Sequence, residues 1–180
     1  MILGIILHLS HLLTQQGDEP AAHPLIEEGL EIGEDLGSLS YIAGFQCCKG
    51  YFALWKGDLE SARALAEASL TTAREAGLGP LGGLSLLASV ARAEGDYAQA
   101  EARLRAALSE FSQQTASGDW LRTTWPLTAI AGIWVAQRRY RQSARMYGAV
   151  HGWLGATDIK RLWSAPPHYA RDEAAAGAAL

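Results

Sequence analysis

Gly95-Asp96-Tyr97-Ala98-Gln99-Ala100 decides the fold, because the chain repeats that pattern in three other places. Gly57-Asp58-Leu59-Glu60-Ser61-Ala62 and Gly17-Asp18-Glu19-Pro20-Ala21-Ala22 carry it upstream. Arg138-Arg139-Tyr140-Arg141-Gln142-Ser143 carries it downstream, keeping the tyrosine and the small residue but losing the glycine. The spacings are 40, 38 and 43 residues, a period that marks stacked helical hairpins. Each turn has a physical reading. Glycine ends one helix in the left-handed region, and aspartate opens the next by accepting orphan backbone N–H groups.

The pattern continues on both sides of the turns. Ala22, Ala62, Ala100 and Ser143 are each followed four residues on by Ile26, Ala66, Leu104 and Tyr147, and seven on by Gly29, Ser69, Ala107 and Val150. This i, i+4, i+7 stripe is one helix face, and its small residues let a neighbouring helix approach closely. Before the turns, Ser10, Gly50, Ala88 and Ala131 sit beside Leu9, Lys49, Leu87 and Ile130. Small beside large seats one helix of a hairpin on its partner. Lys49 breaks that rule and leaves the register of the second hairpin the least defined. Periodicity predicts helices over 2–16, 20–35, 39–56, 59–76, 81–94, 97–114, 119–137, 140–154 and 167–178, with no strand. Ser112 to Asp119 reads as a polar loop closed by Ser117-Gly118-Asp119, and Thr157 to Pro166 is the longest non-periodic stretch.

These residues resemble the tetratricopeptide repeat (TPR): large and small on the first helix, Gly-Asp-Tyr at the turn, then alanine and Ala-Leu on the second. The resemblance spans roughly Met1 to Gly155. It implies an all-α superhelix of about four hairpins (1–155), followed by a linker and C-terminal helix (156–180). Repeats longer than the 34-residue standard, rich in Ala, Arg and Gly-Asp-Tyr, resemble the C-terminal arrays of MalT-like and LuxR-type bacterial transcription regulators and related signalling ATPases. The run from Gln142 to Ala156, followed by Pro166-Pro167, is similar to the way those arrays finish. Met1 enters a helix pattern without a cap and Leu180 stops inside an alanine-rich one, so a fragment of a longer protein is expected.

Composition narrows the class. With 180 residues, 49% hydrophobic and 19% charged, the chain can fill one core and is not a disordered one. A net charge of −4 repels nucleic acid and anionic membranes, so neither is an expected partner. Cys47 and Cys48 are adjacent, point about 100° apart on a helix, and suit a reducing, cytoplasmic setting. The apolar start, Met1 to Ser10, has no basic flank, and His8 and His11 interrupt it before membrane-spanning length.

Several chemistry-like patterns have plainer readings. Gly77-Leu-Gly-Pro-Leu-Gly82 matches a dinucleotide-binding string, but that chemistry needs a preceding strand and a helix is expected there. His8 and His11, with His23 nearby, lack the further ligands zinc requires. No nucleophile–base motif accompanies His151 or His168. The Glu27–Asp35 acids read as a solvated face. Arg138, Arg139, Arg141 and Arg145 form a basic patch that complements a helix C-terminus. No metal, cofactor or catalytic residue is expected.

The resemblance also implies that the first helix of each hairpin lines a concave groove holding a protein or peptide partner. Its positions, carried onto this sequence, are His11 and Thr14, then Cys47, Tyr51, Leu54 and Trp55. Ser85, Ser89 and Arg92 follow, and Trp125, Thr128 and Val135 complete the set. Tyr and Trp one turn apart, with a guanidinium from the next repeat, are hot-spot chemistry. The alternative is a small-molecule effector held in the same groove. Ile2, Leu3, Ile5, Ile6, Leu7, Leu9, Leu12 and Leu13 surround most of the first helix, so its outer side is expected to be covered by a preceding repeat or, in this chain, by a second copy.

Overall fold

The computed structural model of the protein describes residues 2–114, 120–155 and 167–179. The described residues are all-helical, and helix packs on helix throughout. The helices are α1 (Ile2–Gln16), α2 (Glu19–Asp35), α3 (Leu39–Trp55), α4 (Leu59–Glu75), α5 (Leu81–Ala93), α6 (Tyr97–Gln114), α7 (Trp120–Ala136), α8 (Tyr140–Gly155) and α9 (Pro167–Ala178). Their ends lie within one residue of where the periodicity placed them. One correction concerns the loop expected from Ser112, because α6 continues to Gln114. The Ser117-Gly118-Asp119 turn and the stretch from Thr157 to Pro166 lie outside the described residues.

The four repeated turns share one backbone solution. Gly17, Gly57 and Gly95 have φ of 75°, 81° and 84°, and Arg138 takes the same left-handed conformation at 60°. In each, the next N–H reaches back five residues: Asp18 to Leu13, Asp58 to Ala53, Asp96 to Ala91 and Arg139 to Trp134. That bond satisfies a carbonyl the ending helix would otherwise leave open. Asp18, Asp58 and Asp96 then accept from the N–H of Ala21, Ser61 and Gln99 at 3.2, 3.0 and 2.9 Å. The fourth turn has no aspartate and does without that cap.

All twelve stripe residues after the turns are buried. Gly29 shows why size matters there, since a β-carbon on it would stand 2.2 Å from Cζ of Phe45. Ser10, Gly50, Ala88 and Ala131 before the turns are buried as well. Of the large residues beside them, Leu87 and Ile130 enter the core, whereas Leu9 is exposed and Lys49 turns out to pair with Glu27 at 2.8 Å. Polar side chains tie helices across the stripe. Ser69 Oγ donates to the Ala43 carbonyl at 2.7 Å, and Ser143 Oγ to the Ala131 carbonyl at 2.9 Å.

Each even-numbered helix packs against the helices before and after it, and each odd-numbered helix also packs on the next odd one. Core clusters follow this arrangement. Leu3, Ile6, Ala22, Ile26, Phe45, Cys48 and Phe52 join α1, α2 and α3. Ala88, Ala91, Ala100, Leu104, Ile130, Ile133 and Trp134 join α5, α6 and α7. Helix α9 packs on α7 and α8 as α3 packs on α1 and α2. No described helix is long and apolar enough to cross a membrane.

Candidate functional site

Counting back from the four turn residues aligns the odd helices by depth. Three residues before the turn lie Thr14, Leu54, Arg92 and Val135, and six before lie His11, Tyr51, Ser89 and Gly132. Ten before lie Leu7, Cys47, Ser85 and Thr128. The last group is closed. Cys47, Ser85 and Thr128 are buried, which corrects their expected place in an open groove. In α3 this level packs against α4 and α5. Cys47 Sγ lies 3.0 Å from Ser69 Oγ and a β-carbon on Gly82 would stand 3.0 Å from that sulfur. Ser69 commits its single proton to Ala43, so the thiol donates to the hydroxyl. Burial pushes the Cys47 thiol up to about 11 and the Cys48 thiol up to about 12. Both are packing residues, free of any disulfide.

Several positions nearer the turns are more open. Trp55 is 39% exposed at the end of α3. Its ring centroid lies 6.1 Å from that of Tyr51, with the planes inclined at 37°, and 5.4 Å from that of Phe52, edge to face at 84°. Tyr51, half-buried, leans on the cluster of Ala66, Leu70, Leu86 and Leu87. The indole is therefore held in place from two sides while one side faces solvent. His11 is exposed and Ser89 half-buried, its hydroxyl donating to the Ser85 carbonyl at 3.0 Å. Thr14 is buried, its hydroxyl bound to the Ser10 carbonyl at 2.7 Å. Trp125 belongs to α7, and its side chain lies outside those described.

Arg92 is partnered from within the chain. Its Nη2 donates to Asp172 Oδ2 of α9 at 2.5 Å. The guanidinium passes over α7 at Gly132, where a β-carbon would stand 2.7 Å from Asp172 Oδ2 and 2.9 Å from Arg92 Nη1. Tyr147 of α8 lies in the same electrostatic neighbourhood. Burial pushes its phenol well above the usual range, the Asp172 carboxylate adds to the push, and the Arg92 charge opposes it. Its hydroxyl is buried with no hydrogen-bond partner among the described residues.

Gly132, Asp172 and Phe52 escaped the sequence reading. Gly132 shares the register of Tyr51 and Ser89 and could have been found there. Asp172 carried a weaker signal, as half of an acidic pair in an otherwise alanine-rich helix.

The remaining candidates resolve into structural roles. Arg139 stacks over the Trp134 ring at 4.9 Å and pairs with Glu101 at 3.2 Å, so it belongs to the α6–α7 junction. Gly77 ends α4 and Gly82 lies inside α5, so the glycine string joins two helices. His8 Nδ1 lies 2.7 Å from the Gly4 carbonyl. Among the described residues no three His, Cys, Asp or Glu side chains group as a metal ion would require. A cavity of about 240 Å³ opens between α2, α3 and α4, lined by Glu19, His23, Lys49, Lys56 and Asp58 with Ile26 and Phe52. None of the groove candidates lines it. No protein-family model matches the chain, and no curated protein matches it either.

Proposed function

We propose that this chain is a TPR-type array whose odd-numbered helices form the inner, concave layer and hold a segment of a partner protein. Packing between successive odd helices, with the even helices on the outside, supports that curvature. The observation that carries the binding role is Trp55, a large aromatic fixed by Tyr51 and Phe52 and still open to solvent. Rigid, partly exposed aromatic anchors supply most of the energy in small interfaces. The role is that of a binding module, not an enzyme: the cytoplasmic interaction or sensing part of a bacterial transcription regulator or signalling ATPase. It binds no nucleic acid directly.

A small-molecule effector is the weaker reading. It calls for a large apolar pocket on the inner face, whereas the cavity described between α2, α3 and α4 has neither Tyr51 nor Trp55 in its lining. The test is selection from a displayed random-peptide library on the immobilised chain, repeated with Trp55→Ala. Selected peptides should bind Trp55→Ala about 30-fold more weakly, equivalent to about 2 kcal/mol, with helix content unchanged. Peptides indifferent to both Trp55→Ala and Tyr51→Ala would overturn the reading.

A further inference from the structure

Over residues 170–178, whose side chains are described, helix α9 makes little apolar contact. From residue 170 to residue 178 only Asp172 and Ala176 are buried. The rest of the described attachment is electrostatic: Asp172 on Arg92, and Glu173 Oε1 at 3.4 Å from His151 Nδ1. The first pair is the deeper, with the Arg92 side chain 25% and the Asp172 side chain 12% exposed. It is also incomplete. One guanidinium nitrogen meets one carboxylate oxygen, although a guanidinium offers five donors arranged for two-point contact with a carboxylate. The Tyr147 hydroxyl, which feels both charges, is buried and unpartnered among the described residues, and the absence of a side chain at Gly132 leaves the space the two charges occupy.

We propose that Arg92 is a carboxylate-binding site that Asp172 of α9 fills from within, and that an acidic segment of the partner protein competes with α9 for it. The proposal rests on the groove reading and adds to it a partner chemistry and an internal competitor. Two features of the site favour exchange. An incoming glutamate or aspartate can take the two-point contact that Asp172 does not make. The helix it displaces loses one buried carboxylate and one alanine methyl among its described residues. A binding-competent state that is only partly populated weakens the apparent affinity by that fraction, so disarming Asp172 should strengthen the binding of acidic segments.

The experiment uses the full chain and two probes, a fluorescein-labelled oligoglutamate peptide and its oligoglutamine counterpart, read by anisotropy. Hydrogen exchange over residues 167–178 is followed in parallel. Asp172→Asn should speed exchange across α9 and tighten oligoglutamate binding about tenfold or more, with no gain for oligoglutamine. Adding Arg92→Met should abolish the gain. Gly132→Ala, which leaves both charges in place and fills the space between them, should also speed exchange in α9. Unchanged exchange in both Asp172→Asn and Gly132→Ala would show that the pair does not hold the helix and would overturn the proposal. Release of α9 without tighter oligoglutamate binding, or tightening that survives Arg92→Met, would overturn it equally. Tightening that depends on Arg92 but ignores Trp55→Ala would keep the carboxylate site and reject the aromatic groove.

Discussion

Arg138 holds a β-carbon in the left-handed region, where the other three repeated turns place glycine. That conformation costs an L-residue roughly 1–2 kcal/mol, part of which glycine gives back through its greater freedom when unfolded. Arg138→Gly should therefore raise stability by about 0.5–1 kcal/mol in chemical denaturation. Gly29→Ala should do the opposite. The Phe45 ring stands where the new methyl must go, and overpacking of this kind costs about 1–3 kcal/mol. The buried thiols make a third prediction. Cys47 and Cys48 should resist a thiol-specific disulfide reagent at pH 8 and react fully in denaturant. Because burial raises both in the fold, they stabilise it fully below the unfolded thiol range. That stabilisation is lost as pH rises through about 9 and on toward 11 to 12. Denaturation midpoints should fall over that window, and less steeply in Cys47→Ala. The same residue marks the limit of the sequence reading. Cys47, Tyr51 and Leu54 share one face by spacing, yet Cys47 is closed and Tyr51 half-open. Periodicity reports which way a side chain points, and not how closely neighbouring helices cover that level of the helix.

Helix boundaries at the repeated turns were legible from local chemistry: a left-handed terminus at all four, an aspartate cap at three, and a stripe of small residues that only a tight helix pair explains. The facing of α1 was not. It is apolar nearly all round, so its sequence favours no direction, and packing on α2 and α3 makes the choice. Leu3, Ile6, Ser10 and Thr14 turn inward, while Ile2 and Ile5 remain 68% and 62% exposed and Leu9 and Leu12 share their side. The outward set repeats at three and four residues, the seam geometry of a paired helix. We propose that a second copy covers it. Sedimentation at micromolar concentration should show a dimer. Glutamate at Ile2, Ile5 and Leu9 should give a folded monomer, whereas Ile6→Glu should unfold the first hairpin by burying a charge. A wild-type chain that stays monomeric at high concentration would show that no second copy binds there.

Across the whole molecule, the proposed binding role gives the odd helices two jobs that compete for the same side chains. Packing among neighbouring helices holds the stack and closes Cys47, Ser85 and Thr128, and on the proposed reading the partner is left the more open residues nearer the turns. Trp55 is the clearest of these, and the region around Arg92 is shared with α9. Exchange between α9 and a partner segment at Arg92 would then connect binding with order in the last helix. The most direct test of the binding role is hydroxyl-radical footprinting of the chain with and without a library-selected peptide. Trp55 and Tyr51, on the inner face of α3, should be protected, with Tyr97 and Tyr140, at the starts of α6 and α8, labelled as in the free chain. Protection of Tyr97 and Tyr140 with Trp55 still fully labelled would place the partner on the outer helices and contradict it.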